Sequence, residues 1–265
     1  MKPVANSSAP PPPLKWAGGK RWLVPRLREL WQPFAQQPLI EPFCGGLAVA
    51  LGLQPRHAIL NDANPHLINF YQQVRKGLKL TIEAENDSSI YYEYRDNFNE
   101  LIGGEKEKTK KAAQLFYYLN RTGFNGLCRF NRSGLFNVPF GRYRKINYRE
   151  DFFDYQELFA NWSFSCGDFE RLSLPAGSLI YADPPYDVEF TQYSAGGFDW
   201  NDQIRLAEWL SSHEGPVILS NQMTPRIREL YGDLGFRMES LEAPRRISCN
   251  GDRQPAREVL ATLNF

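Results

Sequence analysis

The chain is predicted to fold as an open α/β sheet with a mainly helical subdomain inserted in its middle. Three observations predict this. Residues 38–62 run in the order strand, glycine turn, helix, strand, acid, the first half of a nucleotide-binding α/β unit. A short apolar run, Ser178-Leu179-Ile180-Tyr181-Ala182, leads directly into Asp183-Pro184-Pro185-Tyr186, so a buried strand delivers an acid, two prolines and an aromatic ring at its end. Between these segments the alternation stops, and long helical patterns lead into a loop rich in Gly, Asn, Arg and aromatics. A length of 265 residues with 42% hydrophobic content suits one large α/β domain with an insertion.

The elements follow in order. Residues 1–13 end in Ala-Pro-Pro-Pro-Pro and are expected to form a disordered tail. Lys15-Trp16-Ala17-Gly18-Gly19-Lys20 reads as a loop, and residues 21–31 as a helix with Trp22, Leu23, Leu27 and Leu30 on its apolar face. Residues 38–41 form a short strand, Pro42-Phe43-Cys44-Gly45-Gly46 a tight turn, residues 47–53 a helix and residues 58–62 a second strand ending in Asp62. An acid about twenty residues after the glycine turn is placed to accept hydrogen bonds from ribose hydroxyls. The dinucleotide pattern G-x-G-x-x-G is absent, so the expected cofactor is an adenosine without phosphates.

Helices are expected over 67–78, 90–101 and 108–120, within an inserted recognition subdomain spanning 70–155. The α/β pattern resumes with a strand over 162–168 ending in Asp168, then the strand before Asp183. A helix over 202–212, a strand over 216–221, a helix over 226–234 and strands over 236–242 and 258–264 complete the sheet. The catalytic domain is therefore expected to comprise 14–69 plus 156–265.

Composition narrows the function. No run is long enough to span a bilayer, and the first residues lack an apolar signal core, so a cytoplasmic protein is expected. The four cysteines and three histidines show no zinc-ligand spacing, and no metal is expected. The net charge is only +1, but it is unevenly spread. No Asp or Glu occurs from Ala112 to Arg149, a stretch that carries Arg121, Arg129, Arg132, Arg142, Arg144, Lys145 and Arg149. Glu83, Glu85, Asp87, Glu93, Asp96, Glu100, Glu105 and Glu107 precede it. Such segregation is what a phosphate-binding surface produces, although a charge run is more often a solvated face.

The Asp-Pro-Pro-Tyr turn carries the chemistry. Each proline fixes φ and removes a backbone donor, so the turn is stiff and rich in acceptors. One carboxylate, acceptor carbonyls and a planar ring suit capture of a flat heterocycle bearing an amino group. The plainer alternative is that Asp183 only caps a helix.

The Lys-Trp-Ala-Gly-Gly-Lys loop, the Glu41-Pro42-Phe43-x-Gly45 turn and Asp183-Pro184-Pro185-Tyr186, in that order, resemble the Dam-type DNA adenine methyltransferases. The segments Asn120-Arg121-Thr122-Gly123-Phe124-Asn125-Gly126-Leu127-Cys128-Arg129 and Phe136-Asn137-Val138-Pro139-Phe140-Gly141-Arg142-Tyr143 are similar to the target-recognition segments of that family. The resemblance runs from Leu14 onward. It implies a Rossmann-like S-adenosylmethionine-dependent methyltransferase sheet of the α group of amino methyltransferases, with double-stranded DNA as partner and S-adenosylhomocysteine as product. It implies that Asp183, Pro184 and Tyr186 act on a flipped adenine, within GATC or a longer site read by the methylase of a restriction–modification pair with a cognate endonuclease. It assigns Trp16, Ala17, Gly18, Lys20, Glu41, Phe43, Gly45, Asp62, Asp168, Phe169 and Asp183 to the cofactor. Lys15, Arg121, Phe124, Asn125, Leu127, Arg129, Pro139, Arg142 and Tyr143 are assigned to DNA, and Arg245, Arg246 and Arg253 are further candidates. RNA or a protein amide is the alternative substrate class. One departure stands out: the family's turn reads Phe-x-Gly-x-Gly, and here the last position is Leu47. A positive φ would strain leucine, so Gly45 and Gly46 are expected to make the turn, with Leu47 already inside the helix.

Overall fold

The structure, a computed structural model, describes residues 10–104, 106–187, 197–243 and 256–265. These divide into two compact units. One comprises the described residues up to Leu27, Gly45–Gln54 and Asn69–Ala160; the other comprises Arg28–Cys44, Pro55–Ile68 and the described residues from Asn161 on.

The second unit holds a seven-stranded sheet in the order β3-β2-β1-β4-β5-β7-β6. Its strands are β1 (Leu39–Glu41), β2 (Ala58–Asp62), β3 (Trp162–Cys166), β4 (Leu179–Ala182), β5 (Val217–Gln222), β6 (Arg237–Ala243) and β7 (Ala256–Leu263). The first five are parallel, and β7 runs antiparallel between β5 and β6. The central strands are buried throughout, as parallel strands covered on both faces must be: β1 reads Leu-Ile-Glu and β4 Leu-Ile-Tyr-Ala with no exposed position. Ile40, Ile180, Ala182, Val217 and Leu219 pack with Leu206, Ala207 and Leu210 of α7 (Trp200–Ser211) and with Ile227 and Tyr231 of α8 (Pro225–Asp233). Strand β1 has β2 on one side and β4 on the other. The chain reverses direction of travel across the sheet at that junction, the place where open α/β sheets bind ligands beyond the strands' carboxyl ends.

The first unit is mainly helical. Helix α5 (Lys110–Thr122) is its centre, with ten of thirteen residues buried. Helix α4 (Ser88–Ile102) starts where the Asp87 carboxylate accepts from the Ser89 and Ile90 amides, and α5 starts where the Thr109 hydroxyl accepts from Ala112. Aromatic rings fill the interior: Phe70 stacks on Tyr117 with centroids 5.5 Å apart, and Phe152 meets both edge-on. Helix α6 (Phe153–Phe159) was not foreseen; with only seven residues it shows little periodicity, yet it buries Tyr155 and Phe159.

Three expectations are corrected. Residues 10–13 are not a free tail: Pro13 is buried, and the Tyr155 hydroxyl donates to the Pro11 carbonyl. The loop at 15–20 and the short helix α2 (Ala48–Leu53) group with the helical unit rather than with the sheet. The reason is local packing. The Lys15 backbone pairs with the Asn120 side chain, Trp16 lies on Gly45 and Gly46, and Val24, the first residue of α1 (Val24–Trp31), fills the space a side chain at Gly52 would take. Finally, Leu47 is not inside the helix. It is the N-cap of α2 with φ 61° and ψ 24°, in the left-handed region, while its side chain is wholly buried.

Left-handed backbone costs a non-glycine residue about 1–2 kcal/mol, whereas burying leucine contributes about 2–3 kcal/mol, so packing outweighs strain here. Removing the side chain without relieving the strain should then be worse than doing both. Leu47→Ala is expected to destabilise by about 1 kcal/mol more than Leu47→Gly, the reverse of the order inside a helix. Urea unfolding of both variants checks this; an Ala variant at least as stable as the Gly variant would contradict it.

Candidate active site and nucleic-acid interface

The Asp183-Pro184-Pro185-Tyr186 turn is built at the end of β4. Asp183 follows Ala182 directly and is half-buried; Pro184 is buried and Pro185 exposed. Since Pro184 and Pro185 offer no N–H, side chains rather than a backbone ladder hold the turn. Ser220 of β5 donates to Asp183 Oδ1 at 2.7 Å. A serine has one proton to give, so the Tyr181 hydroxyl, 3.1 Å from Ser220 Oγ, is the donor in that second contact. The next residue of β5 points to the opposite face. There Asn221 accepts from the Asp187 amide and donates to Gln203 and to the Tyr231 hydroxyl, and Gln203 in turn donates to the Pro185 carbonyl at 2.8 Å. Asp187 is itself buried, held by Arg226 and by the Thr224 hydroxyl. The ring of Tyr186 is half-buried, and its hydroxyl donates to Glu258 Oε2 at 2.6 Å.

The neighbouring strand ends form the rest of this edge. Asn61 is buried beside Asp62 and ties two loops together. Its amide donates to the carbonyls of Pro42 and Gly167, while its oxygen accepts from Ser165; Cys44 donates back to the Asn61 carbonyl at 2.7 Å. Glu41 lies buried at the end of β1. Asp62 is half-buried and accepts from the Asn64 amide, which aims its carboxylate at the start of α3 (Pro65–Arg75). Burial, with the charges of Asp62 and Glu41, pushes the Cys44 thiol well up, so it stays protonated. Strand β3 stops at Cys166, short of the expected 168, because Gly167 turns the chain at φ +142°. Asp168 then caps the short 3₁₀ turn Phe169–Arg171 and is gripped by Arg205 at 2.9 Å, which holds its carboxyl below the usual range. The Arg205 guanidinium also lies over the Phe169 ring, 4.6 Å from its centroid, and Phe169 meets Phe43 at 5.8 Å.

In the helical unit, the cofactor-assigned and DNA-assigned loops are joined by adjacent residues. Trp16 covers the glycine turn so closely that a Cβ on Gly45 or Gly46 would lie 2.8 or 2.7 Å from it. Tyr71 donates to the Gly45 carbonyl at 2.7 Å. Ala17 and Gly18 are exposed, with Gly18 at φ 75°; Lys20 is buried and donates to the Gly18 carbonyl. One residue before Trp16, both backbone groups of Lys15 pair with the Asn120 side chain at 2.8 Å. The Lys15 ammonium donates to the Arg121 carbonyl at the end of α5 and sits 3.6 Å over the Tyr143 ring.

The recognition segment starts there. Phe124, Asn125 and Gly126 form a tight turn with Asn125 at φ 52°, pinned by Phe124 donating to the Pro139 carbonyl and Gly141 to the Thr122 carbonyl. Phe124 is 47% exposed, so it is no core residue. Asn125, Pro139 and Arg142 are exposed and Leu127 half-buried. Residues 129–137 form a hairpin: Asn137 donates to the Arg129 carbonyl, and Gly134, at φ 75°, closes the turn against Asn131. The Arg129 guanidinium is exposed but oriented, with Nε and Nη2 on Asn137 at 2.8 and 3.1 Å. Two assigned residues have structural employment. Arg121 donates to the Asn147 carbonyl at 2.6 Å, and the Tyr143 hydroxyl donates to the Gly123 carbonyl at 3.1 Å. Arg245, Arg246 and Arg253 lie outside the described residues.

Sequence reasoning missed the supporting groups Ser220, Asn221, Gln203, Asn61, Arg205, Glu258 and Asn120. A polar pair within an otherwise apolar strand, Ser220-Asn221, was the one available signal. The Lys15 contact gives a test by pH. Burial, reinforced by Arg121, lowers the Lys15 pKa from 10.5 to about 8. The folded state therefore binds fewer protons than the unfolded state between those values, and stability gains with rising pH across that window. In melting curves from pH 7.5 to 10, Lys15→Met should show a smaller alkaline gain, or a steeper alkaline loss, than the parent chain. Identical pH dependence would sink the assignment.

The model for "D12 class N6 adenine-specific DNA methyltransferase" matches residues 16–247. The retron Ec67 DNA adenine methylase of Escherichia coli is 36% identical, covering 94% of this chain and 90% of that protein. The DNA adenine methylase of Escherichia coli K12 is 35% identical, covering 94% and 93%. The type II methyltransferase M1.LlaDCHI of Lactococcus lactis subsp. cremoris is also 35% identical, covering 94% and 92%. No helix among the described residues is long and apolar enough to cross a membrane. With an acid and aromatic on a proline-stiffened turn at the end of β4, and a family match over most of its length, the chain belongs to the D12 class of N6 adenine-specific DNA methyltransferases and acts as an adenine-specific enzyme on DNA.

Proposed function

We propose that the protein transfers a methyl group from S-adenosylmethionine to the exocyclic amino group of an adenine flipped out of duplex DNA, within GATC. The carrying observation is Asp183 at the end of β4 with its carboxylate plane set by Ser220. The adenine amine is a poor nucleophile because its lone pair is delocalised into the ring. Asp183 and the Pro184 carbonyl accept its two hydrogens and draw the nitrogen toward a tetrahedral shape, which localises the lone pair. A carboxylate already oriented by Ser220 needs little reorganisation at that moment. Tyr186 stacks on the flipped ring. The cost of flipping is roughly a few kcal/mol, and the exposed Phe124 on its rigid turn offsets part of it by stacking on the orphaned partner.

The methyl donor supplies an electrophilic sulfonium carbon. The residues present suit it: Asp62, half-buried at the end of β2, would hold ribose hydroxyls, and the aromatic faces of Phe43 and Phe169 would flank the adenine. Arg205 fixes the Asp168 carboxylate, whose remaining lone pairs would receive the cofactor's amino group. Glu41, buried at the end of β1, is a further candidate for this ligand. In the recognition segment Arg129 would read a guanine, Leu127 and Pro139 a thymine methyl, Lys15 and Asn125 further base or phosphate groups, and Arg142 the phosphates.

The resemblance to M1.LlaDCHI, a type II methyltransferase, favours a second reading, as the methylase of a restriction–modification pair whose cognate endonuclease acts separately. Methyl transfer from labelled S-adenosylmethionine to duplexes with and without GATC, with mapping of the modified adenines, separates the two. Modification confined to GATC supports the first, a longer site the second, and no transfer to any duplex overturns both. Asp183→Ala should lower kcat by at least about 10²-fold, as loss of a group that stabilises the transition state does. Ser220→Ala should lower it about tenfold with little change in KM. Arg129→Ala should cost about 1–3 kcal/mol of discrimination at one guanine. Asn137→Ala should weaken discrimination at the same position, because Asn137 orients that guanidinium. A loss uniform over all sequences would reassign Arg129 to phosphate.

A further inference from the structure

The carboxylate of Glu258 belongs to the last strand, more than seventy positions in sequence from the turn that it touches. Strands β5 and β7 pair antiparallel with Ser220 opposite Leu260 and Gln222 opposite Glu258. Opposite residues share a face and side chains alternate, so Ser220 and Glu258 project from the same face as diagonal neighbours. Ser220 reaches Asp183 and Glu258 reaches the Tyr186 hydroxyl, the two ends of the same four-residue turn. The contact is 2.6 Å long, within the range of a charge-assisted O–H···O⁻ bond, and Glu258 is only 9% exposed.

We propose that Glu258 is a positioning residue for methyl transfer, holding the Tyr186 ring at the angle needed to stack on the target adenine and making its face more electron-rich. Burial, then the charges of Asp183 and Glu258, holds the Tyr186 phenol far above its ordinary range, so it remains a proton donor throughout the working pH range. A phenol that donates to a carboxylate carries more electron density on its ring. The target nitrogen gains positive charge as its bond to the methyl carbon forms and the carbon–sulfur bond breaks, until its extra proton passes through the Asp183 carboxylate to solvent, and an electron-rich ring face beside it is electrostatically favourable. This inference rests on the adenine-methylation reading.

The test is single-turnover methyl transfer to a GATC duplex by the full chain and by Tyr186→Phe, Glu258→Ala, Glu258→Gln and the Tyr186→Phe/Glu258→Ala double variant, with thermal unfolding of each. Glu258→Ala and Tyr186→Phe should each slow the chemical step about tenfold with KM for both substrates little changed, and the double variant should be no slower than Tyr186→Phe. Glu258→Gln, which keeps an oxygen acceptor, should recover part of the rate. A Glu258→Ala rate equal to the parent, or losses that multiply in the double variant, overturns the inference. Should Glu258→Ala not fold, Glu258→Gln and Glu258→Asp decide. Rate retained by Gln and lost by the shorter Asp supports positioning, and equal rates overturn it. A parent chain that methylates no duplex refutes the underlying reading instead.

Discussion

Two adjacent prolines at the end of β4 set the terms for everything around them. Pro184 and Pro185 stiffen the turn that bears Asp183 and Tyr186, but they remove the two N–H groups by which a sheet would ordinarily anchor it. The turn must therefore be held from outside by side chains. Strand β5 does this with both faces: Ser220 engages Asp183 on one, and Asn221 anchors the Asp187 amide and Gln203 on the other. Gln203 reaches the Pro185 carbonyl from α7, and Glu258 reaches Tyr186 from β7. Four buried polar groups in otherwise apolar elements would be costly if unpaired. Here each is paired, and the network converts burial into a defined geometry for the turn.

The same economy governs the other strand ends. Asn61 joins the loops after β1 and β3 with one amide, so the turn bearing Phe43 and the turn leading to Asp168 move together with β2. Arg205 joins Asp168, Glu170 and Asp202 while covering Phe169. These exposed ion pairs add little stability individually. Their effect is to fix the direction of a carboxylate that sequence alone leaves unspecified.

In the helical unit a single buried side chain, Asn120, performs the joining. It lies in the last turn of the central helix and pairs with both backbone groups of Lys15 in the manner of a strand ladder. The turn at 124–126 thereby stays in register with the loop whose next residue, Trp16, lies on the glycine turn. The crowding is visible from both sides. A Cβ at Gly126 would fall 2.3 Å from Lys15 Cβ, so glycine there serves close approach as well as its φ of 63°.

Much was legible in the sequence because it is written locally. Short apolar or alternating runs of four to six residues mark the strands β1 to β5 and their order in the chain. Asp183-Pro184-Pro185-Tyr186 and the segments around Phe124 and Arg129 carried the resemblance to the family to which the chain belongs. Tertiary structure alone decided the rest. Leu47 adopts a left-handed backbone because burying its side chain outweighs the strain, a balance no local rule contains. Residues 10–13 are packed because Tyr155, more than a hundred positions away, takes the Pro11 carbonyl. Ser220, Gln203 and Glu258 meet the Asp183–Tyr186 turn only once β5, α7 and β7 are assembled beside β4. A side chain's own identity and spacing report which face it occupies. What it touches across a sheet depends on strand order and register, which are set by long-range pairing.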